Sequence, residues 1–320
     1  YKFNTGKTNH DIEFGASYHE DYEDRYQWVD GYSVTNQFMN QTSNGIGGSD
    51  ANRIQSAKSF ATHILYNLTV ADFVFTPGIR NEDITITNKD YGKTDPNRTG
   101  NTLVTTENNV NVWIPGMGVL YNINDNYKVF ASIHKGFSPP GAKEGEDAEN
   151  SIATELGFRM NKNAFSSEIV VYNNNYSNLQ GADTMSGGGS GTGDIFNAGE
   201  ANVYGLELSA TYDVLSKSNA FKLPIAMSYT YTNTELKSNF VSPSWGTVTY
   251  GDEIPFIAKN QLALTANLEH KKFSLALNGR YVGEIRTKAG QGEIPEIYKI
   301  DDNIIIDFAA KYHLTNKVSL

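Results

Sequence analysis

The side chains of this sequence suit recognition better than bond-breaking. There is no cysteine, so it can hold no thiolate nucleophile, disulfide or thiolate metal site. The six histidines are scattered, and His10, His19, His134 and the others show neither an H-x-x-x-H nor another clustered spacing that would grip a metal. No Ser/His/Asp grouping or paired-carboxylate motif stands out. The run SGGGSGTG at 186–193 does not follow a strand and open a helix, so it reads as a flexible low-complexity linker and not as a phosphate cradle. The stretch DYGKTDPN at 90–97 is rich in oxygen, but its spacing does not match a Ca²⁺ loop and it reads as a solvated loop. What remains are guanidinium groups, which pair with carboxylates through two parallel hydrogen bonds. Arg25 lies in YEDRYQW, where Glu20, Asp21 or Asp24 could satisfy it as an ordinary surface arginine, and Arg80 lies in TPGIRNED. The chain carries 26 Lys+Arg against 36 Asp+Glu, a net charge of −10, so an anionic partner would need local positive charge of this kind. The same balance argues against a general nucleic-acid binder.

The elements that carry these residues read as strands. Apolar and polar residues alternate with a period of two over 11–18, 55–69, 73–87 and 109–121, and again over 202–214, 223–236, 260–269, 273–283 and 303–314. Between these groups, 127–181 reads strand, long loop, strand, tight turn, strand. Val129, Ala131 and Ile133 alternate with Lys128, Ser132 and His134, and only Phe130 breaks the pattern. Pro139–Pro140 stops that strand, because proline has no N–H for the ladder.

Mean hydropathy is −0.45 and every apolar run is interrupted, so no helix of about 20 apolar residues crosses a membrane. A transmembrane barrel is not excluded, since its strands need only every second residue apolar. The connections decide the matter. Short turns near 71, 124, 162, 217, 271 and 315 alternate with long polar loops near 35, 97, 145, 190, 247 and 294. One end of an up-and-down antiparallel sheet is therefore trim and the other elaborate, the asymmetry of outer-membrane barrels. A β-sandwich would have shorter strands of about five or six residues, and a solenoid would show a fixed short repeat. The chain opens at Tyr1 without a leader and stops in the strand-like run Val318-Ser319-Leu320, so both ends read as cuts from something longer.

Several motifs carry a family resemblance. HKGFSPPG, ELGFR (Glu155-Leu156-Gly157-Phe158-Arg159), YNNNYSNLQG and FNAGEANVYGLELSATYD follow one another as in the barrel of TonB-dependent outer-membrane receptors, and are most similar to the ferric-citrate receptor group. Tyr204-Gly205-Leu206-Glu207 resembles that group's returning strand. Ile254-Pro255-Phe256 resembles the opening of one of its late strands, with Ala258 where a proline is usual.

The resemblance spans nearly all of 1–320. It implies an all-β, antiparallel up-and-down transmembrane β-barrel, here incomplete: about 12 strands of a 22-stranded plugged barrel, roughly strands nine to twenty and the stub of the next. The N-terminal plug and the last strands would be absent. The implied function is active uptake of a ferric siderophore, most like ferric citrate, across the bacterial outer membrane. The TonB complex would act through the absent plug, lipid would surround the barrel, and no cofactor is implied beyond iron in the transported chelate. A passive porin, or a receptor for an oligosaccharide, cobalamin or heme, are the alternatives, and no N-P-N-L heme motif is present. An enzyme is the remotest reading. The resemblance implies that Arg25 faces the ferric chelate, and Arg80, expected near the top of its strand, is assigned likewise. Glu155, Arg159, Glu207, Arg280 and Asp307 fall on polar strand faces and are expected to line the lumen as structural charges, because a charge in hydrocarbon costs about 2–4 kcal/mol at the midplane.

Overall fold

The computed structural model describes residues 1–182, 195–242, 244–315 and 318–319. The Gly/Ser segment read as a linker lies outside the described residues, as do residues 316 and 317 of the last short turn. One antiparallel sheet dominates. Its strands in chain order are β1 (Lys2–Thr5), β2 (Thr8–Gln27), β3 (Ala51–Val70), β4 (Phe73–Asp90), β5 (Val104–Asn122), β6 (Tyr127–Ser138) and β7 (Glu149–Lys162). There follow β8 (Phe165–Ser177), β9 (Ala201–Asp213), β10 (Pro224–Leu236), β11 (Asn260–His270), β12 (Phe273–Val282), β13 (Asn303–Thr315) and β14 (Val318–Ser319). Each pairs with the next in sequence, and Phe221–Lys222 adds a short rung to β11. Among the described residues the two edges do not pair with each other, so the sheet is an open part of a barrel. The twelve long strands are those read from the sequence, and the stub β1, turned back at Gly6-Lys7, was not foreseen.

Every second residue points to the same face, and the register aligns these residues across strands. One row runs Phe158, Ile169, Leu208, Tyr229, Leu262, Tyr281, Ile304, a single apolar line over seven strands. These side chains are not buried: Ile304 is 68% exposed and Ile169 42%. A wide exposed apolar face is what a strand turned toward lipid requires. Below it, beside the short turns, aromatic rings collect. Phe3 stacks on His10, Phe73 on Tyr121 and Phe221 on His270. Rings at one level match an interfacial aromatic girdle.

The opposite face is polar and closely packed. Phe130, out of pattern in the sequence, lies here across Gly157, where a Cβ would overlap its ring. The Arg159 guanidinium covers the other side of that ring at 5.4 Å.

Strand length divides the sheet. β2 to β5 run 20, 20, 18 and 19 residues, whereas β6 to β13 run 10–14. At about 3.3 Å per residue the first four rise roughly 20 Å beyond the rest along the strand direction. The division falls at Pro115. The β5–β6 ladder runs from Asn122↔Lys128 up to Gly116↔His134 and ends there, while β5 stays paired to β4 as far as Val104. Proline can donate no hydrogen bond to β6, so the tall wall separates from the short strands at this residue.

The long loops are themselves structured. Gly31–Thr35 and Phe38–Ser43 form a hairpin, and further short hairpins join Phe240–Ser242 to Gly246–Val248 and Ile285–Arg286 to Lys299–Ile300. A small core of Ala201, Leu236 and Val248 closes one of these loops over the sheet.

Candidate functional site

The sequence places Arg25 just past a strand end. The structure places it inside β2, which runs to Gln27 and pairs with β3 up to Gln27↔Ala51. The sequence signal stopped early because both sets of side chains turn polar above Tyr18. The alternation persists nonetheless, with Tyr18, Tyr22 and Tyr26 on one face and His19, Asp21, Glu23 and Arg25 on the other. Arg25 therefore stands on the polar face, near the long-loop end of the tall wall.

Directly across from it is Arg53. Two like charges opposite each other on one face repel, at a cost of roughly 0.2–1 kcal/mol. Arg25 is partly neutralised by Glu23, 3.2 Å from its Nε. Among the described residues Arg53 has no such partner, and its Nε is buried without a hydrogen bond. The acid opposite it on the next strand, Asp90, accepts from the Gly92 N–H at 2.8 Å. One step down the same face, Gln55 stands across from Asn88, whose Oδ1 is also buried without a partner. Native proteins satisfy nearly all such atoms, so two orphans side by side call for an explanation. A shallow groove of about 270 Å³ lies beside the pair, lined by Glu23, Gln55, Ala57, Ile86 and the Pro140–Ala142 chain. That chain is held over the wall by Asn108, whose Nδ2 donates to the carbonyls of Gly141 and Glu146 at 3.1 and 3.0 Å. The arrangement sets two guanidinium groups opposite each other on the face that carries this groove, with one donor and one acceptor left unpartnered and buried beneath them. Chemically it can receive an anion bearing several oxygens.

The other face of the wall, at the same level, is occupied by the 91–103 loop. Arg98 donates from Nη1 and Nη2 to the two Asp24 oxygens at 3.0 and 2.5 Å, and from Nε to Asn52 Oδ1 at 2.8 Å. Its Nη2 also donates to the Arg25 carbonyl at 3.2 Å, and its guanidinium lies 5.2 and 5.3 Å from the Tyr26 and Tyr91 ring centres. Asn52, 2% exposed, donates to the carbonyls of Gly92 and Asp95. The hydrogen bond from Arg98 holds the Asp24 carboxyl below its ordinary range, and Asp24 in turn raises Arg98, each against some desolvation. Asp95, in the oxygen-rich loop, accepts from the N–H groups of Thr99 and Gly100, which lower its pKa. Its oxygens thus serve to shape the loop.

Arg80 is not brought to this pair. Its strand continues ten residues further to Asp90, so it lies nearer the short-turn end and not near the top. It is tied to Glu82, which also accepts from Ser59 at 2.7 Å. It lines a separate groove with Glu13, His63 and His134, floored by Gly78, Gly116 and Gly118. The five other charges fall by alternation on the polar face. Arg159 pairs with Glu168, and Glu155 accepts from Ser132 at 3.3 Å. Glu207 stands opposite Val170 and Thr230, Arg280 opposite Ala263 and Ile305, and Asp307 opposite Asn278. Arg53 and Arg98 were missed. Arg53 falls in a stretch read as loop, and Arg98 meets Asp24 across 74 residues of sequence, a separation no local pattern reports.

Residues 1–320 match the family model described as "TonB dependent receptor-like, beta-barrel". Among solved structures, the chain resembles the unliganded ferric citrate transporter FecA, with a TM-score of 0.73 at 19% identity over 99% of this chain and 46% of that one. It also resembles the siderophore receptor PiuA from Acinetobacter baumannii (TM-score 0.73, 16% identity, 98% of this chain, 48% of that). A third likeness is to the ferric-catecholate import receptor Fiu from E. coli K12 (TM-score 0.70, 17% identity, 98% and 47%). The chain spans just under half the length of each.

Proposed function

The chain belongs to the TonB-dependent receptor β-barrel family, whose members are outer-membrane transport receptors and not enzymes, and from that premise we propose that it forms the ligand-facing wall of a receptor for a ferric siderophore of carboxylate type, most like ferric citrate. The observation that carries this reading is the opposed Arg25–Arg53 pair, with its unpartnered Nε, at the elaborated end of the sheet. An iron chelate whose outer surface is carboxylate oxygen would offset the repulsion between the two cations by pairing with their guanidinium ends. The net charge of −10 gives no general attraction for such a ligand, so recognition would rest on this local pair.

In this reading the polar face lines the lumen. Glu155, Arg159, Glu207, Arg280 and Asp307 are wall charges there, meeting water or a plug domain, and the TonB complex would supply energy through that plug. Arg80, tethered to Glu82 lower on the same face, is assigned to the wall and not to the first encounter with ligand. Residues 1–320 would make up a part of the barrel domain, and the transported iron would be cargo.

The structurally similar proteins include ones named for citrate, catecholate and copper transport, so the ligand choice rests on side chains and not on the fold. A strain lacking the gene, with no other ferric-citrate system, should fail to grow on ferric citrate as sole iron source and keep growing on a ferric tris-catecholate. Undiminished growth on ferric citrate would remove citrate from the reading. Loss on the catecholate alone would redirect it to catecholates.

A further inference from the structure

Arg98 touches the two strands of the arginine pair at the residues immediately before each arginine. It grips Asp24 and the Arg25 carbonyl on β2, and Asn52, the neighbour of Arg53, on β3. Successive residues of a strand point to opposite faces. Arg98 thus binds from one side of the sheet the two positions whose successors project from the other. We propose that Arg98 is a positioning residue: from the apolar-face side it holds β2 and β3 in the register and spacing that keep Arg25 and Arg53 opposed, against their mutual repulsion.

The need for such a clamp is visible locally. Two like charges face each other close to the hairpin 31–43, at the end of a ladder whose next rungs are Tyr26↔Asn52 and Gln27↔Ala51. End rungs of a sheet fray most readily. The forked guanidinium also suits the task, because it meets Asp24 through two nitrogens while its Nε is directed to Asn52, a geometry lysine cannot reproduce. Stacking between Tyr26 and Tyr91 fixes the plane of the fork.

This inference rests on the proposed ligand role of the pair only for its functional consequence, and the test separates the two. The chain contains no cysteine, so the register can be read directly from disulfide formation. In the full-length receptor, Arg25→Cys/Arg53→Cys reports the end of the ladder, and His19→Cys/Ser59→Cys, three rungs lower on the same face, serves as reference. Adding Arg98→Gln should slow oxidation of the 25/53 pair at least fivefold relative to the 19/59 pair, and Arg98→Lys should not restore it. In parallel, the receptor with its native arginines is titrated with ferric citrate. Arg98→Gln should weaken binding about tenfold in that background and have no further effect on top of Arg25→Gln/Arg53→Gln. Unchanged oxidation of the 25/53 pair would overturn the proposal, as would an equal affinity loss with and without the two arginines. Slowed oxidation with unchanged ferric-citrate affinity would uphold the positioning role and count against the ligand role of the pair.

Discussion

From β6 to β13 the alternation of faces runs for 10–14 residues per strand, whereas from β2 to β5 it runs for 18–20. The shorter strands give the middle of their outer surface to apolar residues, as in the row from Phe158 to Ile304. A tilted membrane crossing needs about 9–11 residues, so these strands have little to spare. The tall strands keep an apolar patch of the same kind low down, at Phe14, Ile64 and Ile79, and above it their outer face turns mostly polar. The surplus length is where Arg25 and Arg53 face each other, while buried unpartnered polar atoms occur both there and in the short strands, at Asn150 and Asn202. Pro115 is the hinge of the difference, because a strand that cannot donate to its neighbour can rise without it. The lesson is that one periodic pattern serves two purposes, and what separates them is the identity of the residues on the outward face.

A charge placed on that outward face breaks the comparison most severely. Leu264 lies in the apolar row of β11, six residues from the aromatic girdle at His270, and Leu264→Arg should cost about 2–4 kcal/mol of folding stability in lipid vesicles. Tyr22, 73% exposed on the corresponding face of the tall wall, lies above the apolar patch, and Tyr22→Arg should stay within about 0.5 kcal/mol. Equal costs for the two would mean that lipid reaches further up the wall than the pattern says.

Backbone packing gives the next largest contrast. A Cβ at Gly205 in β9 would overlap the Tyr231 carbonyl of the adjacent strand, which cannot rotate away. Gly205→Ala should cost about 1–3 kcal/mol, read as a lower midpoint of urea unfolding in vesicles. At Gly15 in β2 the obstacle is the His63 ring, a side chain free to change rotamer, so Gly15→Ala should leave the midpoint nearly unmoved.

A smaller effect is specific to the wall and depends on pH. Arg98 depresses the Asp24 carboxyl from its ordinary value of 3.8. A depressed acid lends stability that is present above its unfolded-state pKa and lost as pH falls through its folded one. Amide hydrogen exchange in the 91–103 loop, corrected for its intrinsic pH dependence, should therefore rise below about pH 4. Arg98→Gln should remove the part of that dependence owed to Asp24 and leave the part owed to Asp95, and a loop equally protected at every pH would show that the clamp is not what holds it.

The two regions also differ in how much of them could be read from the sequence. The short strands follow an apolar/polar period, and every one from β6 to β13 was foreseen together with its turns. The family motifs reinforced this half, since ELGFR and VYGLELS lie in β7 and β9. In the tall wall the upper rungs lack hydrophobic contrast, so β2 seemed to end near Tyr18 and Arg25 appeared to lie in a loop. The tyrosines at 18, 22 and 26 held the missing signal, a one-face aromatic spacing that continues the strand. Arg53 could have been found by extending the period of 55–69 backwards by one rung. Arg98 could not, because its role is set by tertiary contact across the width of the sheet.

The most direct test of the account is a titration of the full-length receptor with ferric citrate, following ligand-dependent quenching of intrinsic fluorescence, for the native protein and for Arg25→Gln, Arg53→Gln and the double variant. Each lost charge-assisted contact is worth about 1.5–3 kcal/mol, so each single variant should bind roughly ten- to a hundredfold more weakly, with thermal stability unchanged or slightly raised by the removal of a like charge. Native affinity in the double variant would contradict the assignment of the arginine pair as the place where the ligand is received.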